Sequence, residues 1–167
     1  LGKDLKFIKS SFKAQAKCLS PYIDFFYLDV MSSLKECQIA INSIKSFKKE
    51  FLLGIHIRKG GKLPSGEKLL SVIRKVKKYK PIGIIVSCVS IEDVAEVFTD
   101  LKKIKLPFGF KINAFEHIPA GWKPDSNNPK VQLGKRNDLT PIKFANTCIK
   151  FNKMGANIIG GCCEITP

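Results

Sequence analysis

Short apolar runs rich in β-branched and aromatic residues alternate along this chain with segments whose apolar residues fall at helical spacing, and that alternation limits the possible folds more than any other feature. A first helix is expected over 4–19, where Leu5, Ile8, Phe12, Ala16 and Leu19 share a helical repeat and Pro21 follows as a stop. A strand follows over 23–30. Ser32 or Ser33 then caps a helix reaching about Lys49, with Glu36 placed as in a capping box. The rhythm continues as strand 51–57, helix 67–79, strand 82–87, helix 91–104, strand 108–112, helix 141–154 and strand 157–161. Continuous apolar strands joined by helices imply right-handed crossovers and a parallel sheet covered on both sides. The two candidate architectures are a doubly wound open sheet and part of an eight-stranded (β/α) barrel. In both, chemistry gathers at the carboxyl ends of the strands, where Asp29, His56, Cys88, Asn113, Cys162 and Cys163 fall. No Gly-rich phosphate loop follows any strand, which argues against a nucleotide-binding open sheet.

The cysteines are placed unevenly. Cys18, Cys37 and Cys148 fall inside helical patterns and read as core or boundary residues. Cys88 ends the run Ile84-Ile85-Val86-Ser87, and Cys162 and Cys163 follow Ile158-Ile159-Gly160-Gly161. Packing alone is the ordinary fate of a free cysteine. Adjacent strand residues point to opposite faces, however, so Cys162 and Cys163 can share a target only where the strand breaks, and the glycine pair before them is expected to permit that break. A zinc site of three thiolates with one open position is the first metal reading. A structural site would need a fourth protein ligand, for which His56 and His117 are the two histidines available.

With 44% hydrophobic residues the chain can bury one domain's core, and nothing in it approaches the roughly 18 uninterrupted apolar residues of a membrane helix. The N-terminal residues lack the apolar centre of a signal peptide, so a soluble, cytoplasmic protein with reduced thiols is expected. The formal charge of +15 invites a basic binding module. Against nucleic acid, only Arg58, Arg74 and Arg136 among the 29 basic residues are arginine, and runs such as Lys75-Val76-Lys77-Lys78 read as solvated helix faces. Neither a nucleic acid nor a membrane is expected as a partner. The segment between Ala114 and Thr140, rich in Pro, Gly, Asn and Asp, is too long for an ordinary connection and reads either as a functional loop whose Trp122 closes over a substrate or as a disordered surface insertion.

Taken together, these residues resemble the homocysteine S-methyltransferase family, the zinc-dependent group that includes betaine- and S-methylmethionine-dependent enzymes and the homocysteine domain of methionine synthase. Gly160-Gly161-Cys162-Cys163 is similar to the family's Gly-Gly-Cys-Cys at the end of the last barrel strand, and Ser87-Cys88 to its Asn-Cys at the end of the sixth. Leu28 to Glu36, Leu63-Pro64-Ser65-Gly66-Glu67 and Ile112-Asn113-Ala114 resemble three further family segments in the expected order. The resemblance implies the C-terminal part, about strands four to eight, of a (β/α)8 TIM barrel, with 1–167 a homocysteine-binding-type domain incomplete at both ends and inactive alone. It implies a zinc ion on Cys88, Cys162 and Cys163, with Asp29 holding the amino group of homocysteine and Asn113 as a hydrogen-bonding neighbour. The implied reaction moves a methyl group from a sulfonium or quaternary ammonium donor to the homocysteine thiol, giving methionine. The chain departs from the family pattern at Ser87, at Asp29 (Glu in the family) and at Glu164. A structural-zinc domain without activity and a basic binding module are the alternatives.

Overall fold

The computed structural model describes residues 4–116, 118 and 133–166. Its elements run α1 (Leu5–Leu19), β1 (Phe25–Met31), α2 (Leu34–Ile44), β2 (Glu50–Ile55), α3 (Leu69–Val76), β3 (Gly83–Val89), α4 (Ile91–Lys102), β4 (Phe108–Ile112), α5 (Pro141–Lys153) and β5 (Ile158–Gly161). Each matches an expected element to within a few residues. A single tighter turn prolongs α1, α2 and α3, and this accounts for much of the extra length the helical patterns of α2 and α3 suggested.

Local chemistry sets the helix starts. Asp4, Ser33, Ser90 and Thr140 each cap the following helix by accepting a backbone N–H, and Asp93 completes a capping box with Ser90. Pro141 occupies the first turn of α5, where its missing N–H is not needed. At α2 the reciprocal bond differs from the expected box. Ser33 Oγ accepts from the Glu36 N–H at 3.0 Å, but Glu36 Oε2 accepts from the Ser32 N–H and hydroxyl at 2.7 and 2.6 Å, one residue further out.

The five strands form one parallel sheet in the order β1-β2-β3-β4-β5. Register places Phe26, Leu28, Phe51, Leu53, Ile55, Ile84, Val86, Phe108, Phe110 and Ile112 on one face, all buried in the same core as Ala16, Ile41, Val76, Phe98 and Phe151 of the five helices. The other face carries Tyr27, Asp29, Gly54, Gly83, Ile85, Ser87, Gly109 and Lys111. The helical core therefore lies against one face only, among the described residues, and not on both sides as the apolar runs suggested. A doubly wound sheet reverses its strand order and carries helices on both faces. Sequential order with one-sided helices is compatible with part of a (β/α)8 barrel, whose inner face packs against itself.

The glycines of the inner face keep the strands close. A Cβ at Gly109 would collide with the backbone of Ile158 on β5. α1 departs from its expected role: Ala16 is buried, but Leu5, Leu19 and Cys18 are exposed, because the helix packs chiefly on α2 rather than on the sheet. The lysines of the α3 region, Lys75, Lys77, Lys78 and Lys80, are exposed, as a solvated face requires. Arg136, on the return limb of the connection into α5, is bound in bidentate fashion by Glu92 of α4 and by Asp138, at 2.7 to 2.9 Å. No helix among the described residues is long and apolar enough to cross a membrane. Trp122 and His117 lie outside the described residues.

Candidate metal centre

β3 and β5 are separated by β4, and their carboxyl ends are brought together by two local devices. In β3 the ladder slips between Ser87 and Val89, and the residue at the slip, Cys88, adopts a left-handed conformation with φ 57°. Such a bulge re-aims a side chain, and a non-glycine residue held at positive φ stores strain that the surroundings must maintain. Two contacts act there: His56 Nδ1 lies 3.1 Å from the Ser87 carbonyl, and the Asn113 amide approaches Cys88 Sγ at 3.7 Å. At β5 the chain is stitched to β4, as Cys162 N–H donates to the Ile112 carbonyl at 2.7 Å and Ala114 N–H to the Cys163 carbonyl at 2.9 Å.

Gly160 and Gly161 do not break the strand. Both belong to β5, and neither has positive φ; the left-handed residue is Glu164, φ 63°. Gly161 is required because a Cβ there would run into the Ile165 side chain as the following turn folds back.

These devices place three sulfurs together. Cys88 Sγ lies 3.8 Å from Cys163 Sγ, Cys163 Sγ lies 3.8 Å from Cys162 Sγ, and all three fall within 4.8 Å of one another. Zinc–sulfur bonds of about 2.3 Å at tetrahedral angles put neighbouring sulfurs about 3.8 Å apart, so the spacing suits one zinc-sized ion. Thiolates are also the soft donors that favour zinc. Without a metal the thiols share protons. The neighbouring Cys88 thiol and, with it, the Lys111 charge hold Cys162 down at about 6 against the effect of burial. The interaction with Cys162, and then burial, push Cys88 well above the usual thiol range, and burial raises Cys163.

A second polar group lies on the inner face beside these thiols. Asp29, at the end of β1, forms an ion pair with Lys111 of β4. Its other oxygen, Oδ1, is buried and has no hydrogen-bond partner. Tyr27 and Ser87 exchange a hydroxyl hydrogen bond of 2.7 Å, and burial, with the Asp29 charge, raises the Tyr27 hydroxyl above its ordinary range. Burial works against the Lys111 charge, but the hydrogen bond and attraction from Asp29 outweigh it, leaving its pKa raised. Asn113 is buried, with Oδ1 accepting from the Phe115 N–H at 3.3 Å, so its amide serves Cys88 and the turn after β4.

The model of the homocysteine S-methyltransferase family matches residues 3–167. The chain belongs to that family. A comparison with curated proteins found no match. Within a homocysteine S-methyltransferase chain, the residues the sequence singled out fall into two groups: Cys88, Cys162 and Cys163 converge with Asn113 beside them, and Asp29 faces Lys111. Sequence reasoning passed over Lys111 and Tyr27. A lysine inside the otherwise apolar run Phe108-Gly109-Phe110-Lys111-Ile112 was the available signal, since a charge in a buried strand calls for a partner.

Proposed function

We propose that this chain carries the zinc and substrate site of a methyltransferase that moves a methyl group from a sulfonium or quaternary ammonium donor to the thiol of homocysteine, forming methionine. The observation that carries the reading is the 3.8 Å spacing of the Cys88, Cys163 and Cys162 sulfurs at the carboxyl ends of β3 and β5, in a chain of this family. Cys88, Cys162 and Cys163 would hold zinc, leaving a fourth position for substrate. A zinc ion bound there would keep an incoming thiol, ordinarily protonated at neutral pH with a pKa near 8.5, in its nucleophilic thiolate form.

The chain's own residues supply the rest. His56 and Asn113 hold Cys88 in place, and Asp29 offers its carboxylate to the substrate ammonium. The one-sided helical cover and sequential strand order support reading 1–167 as strands of a (β/α)8 barrel, with its chemistry at the strands' carboxyl ends.

The rival structural-zinc reading needs a fourth protein ligand. Among the described residues the metal-ligating group consists of the three cysteines, and the His56 ring nitrogen Nδ1 is engaged by a backbone carbonyl. The deciding experiment measures zinc content and coordination in the full-length protein, then assays homocysteine with S-adenosylmethionine, S-methylmethionine, betaine and a dimethylsulfonium compound. One zinc on three sulfurs plus an exchangeable ligand, with methionine formed from at least one donor, is expected. Four fixed protein ligands, or no methylation from any donor, would overturn the reading.

A further inference from the structure

The Asp29–Lys111 pair joins the first and fourth strands of the sheet, 82 residues apart, across the inner face. The gap between them is kept open by Gly54 of β2. A Cβ there would sit 2.5 Å from Ser87 Oγ, 2.9 Å from Asp29 Oδ1 and 2.9 Å from the Tyr27 hydroxyl. Both charged side chains are largely shielded, at 31% and 23% exposure. Partly buried ion pairs contribute little net stability, because desolvation offsets attraction. A buried carboxylate oxygen without a partner is a further cost. Stability therefore does not account for this arrangement.

Its position suggests what does. Lys111 lies in register with Ser87, which immediately precedes Cys88, and is two residues before Asn113, whose amide touches the Cys88 sulfur. One cation and one anion thus stand side by side next to three thiols. A free α-amino acid carries the matching charges on one carbon. Its ammonium can replace Lys111 on the Asp29 carboxylate while its carboxylate takes the released Lys111 ammonium, so one ion pair becomes two and no charge is left unpaired. A thiol on a short side chain of the same molecule then extends toward the cysteines.

Resting on the function proposed above, we propose that Lys111 is a substrate-positioning residue that receives the α-carboxylate of homocysteine while Asp29 receives the α-ammonium, the zwitterion inserting into the Asp29–Lys111 pair. The site then selects free amino-acid thiols over thiols that lack either charge.

The test loads the full-length protein with cobalt(II) and follows the sulfur-to-metal absorption as thiols bind, with no methyl donor present. Homocysteine is compared with 3-aminopropane-1-thiol, which lacks the carboxylate, and 4-mercaptobutanoate, which lacks the ammonium. A charge-assisted hydrogen bond gives about tenfold to a hundredfold preference for homocysteine over each. Lys111→Met should reduce the preference over the aminothiol to about twofold or less, and Lys111→Arg should restore most of it. If the unsubstituted protein binds the aminothiol as tightly as homocysteine, or if Lys111→Met weakens both thiols equally, Lys111 does not read the carboxylate although the metal still takes homocysteine. If homocysteine leaves the cobalt spectrum unchanged, the functional reading itself fails, and this inference with it.

Discussion

Cys88 Sγ and Cys163 Sγ lie 3.8 Å apart although 75 residues of chain separate them. One slip in β3 and the hydrogen bonds that tie the end of β5 to β4 produce that contact, and neither sulfur has another reason to be there: Cys88 is half-buried and Cys163 exposed, so neither fills the core. Replacing any one of Cys88, Cys162 or Cys163 with serine is therefore expected to weaken zinc binding by a hundredfold or more, since even outer-sphere partners of a metal site are worth tenfold to a hundredfold. Chelator competition measures this. The metal-free Cys163→Ser protein should keep its unfolding free energy within about 0.5 kcal/mol, as an exposed substitution does. Unchanged zinc affinity in any of the three variants would remove that thiol from the site.

His56 acts on the same centre at one remove. Its ring is hydrogen-bonded to the carbonyl immediately before the left-handed Cys88. We expect His56→Phe to lower metal affinity about tenfold without removing a ligand. The variant also carries a pH signature. Burial lowers the His56 pKa below its ordinary value near 6.5, so the folded protein favours the neutral ring. A depressed folded pKa contributes stability above the unfolded value, lost as pH falls from about 6.5 through the folded pKa. The unsubstituted metal-free protein should lose stability over that window, and His56→Phe should lose less, in denaturant titrations run from pH 7.5 to 5. Parallel pH profiles would show that His56 does not titrate with folding.

The reach of the sequence ended where single residues leave the regular pattern. Strand and helix periods at Phe25 to Met31 or Ile91 to Lys102 persist long enough for side-chain burial to dictate them, so the elements were legible. Which side of the sheet the helices cover was not, because an apolar strand buried by helices and one buried by a barrel interior have the same composition. Leu5 and Leu19 follow a helical stripe yet remain exposed, since periodicity cannot say what a face meets. At the site, the clustering of the three thiols was expected from their strand-end positions. The way it arises was not, because the strain sits on Cys88 and Glu164, residues with no intrinsic preference for positive φ, rather than on the glycines.

Thiol chemistry offers an independent check on the shared protons. In the metal-free protein the neighbouring Cys88 thiol holds Cys162 down at about 6, whereas burial, with the Glu36 charge, pushes Cys37 up to about 12. Alkylation followed by mass spectrometry should therefore modify Cys162 with a midpoint near pH 6, leave Cys37 unmodified through pH 9, and lose the Cys162 signal when zinc is added. Replacing Cys88 with alanine removes that neighbour, so the Cys162 midpoint should move up. A Cys162 midpoint near that of a free thiol in the unsubstituted protein would mean that Cys88 does not act on the Cys162 thiol.

Gly54 tests the inner face without removing any charged group. Its φ is not left-handed, so an alanine there meets no backbone penalty, and any effect must come from the added methyl. That methyl would stand 2.5 Å from Ser87 Oγ and 2.9 Å from both the Tyr27 hydroxyl and Asp29 Oδ1, distances at which something must shift. Tyr27 and Asp29 are fixed by their hydrogen bond and ion pair, and Ser87 is buried in β3, so the strain falls on the polar group as a whole. Overpacking of this kind costs about 1–3 kcal/mol. Gly54→Ala should destabilise the protein by that amount in urea titrations and weaken homocysteine binding to the cobalt-loaded protein. Metal stoichiometry should stay the same, because the cysteines lie beyond the strand end that Gly54 occupies. A fully stable Gly54→Ala protein with unaltered homocysteine affinity would show that the space above Gly54 is not used by the group formed by Tyr27, Asp29 and Ser87.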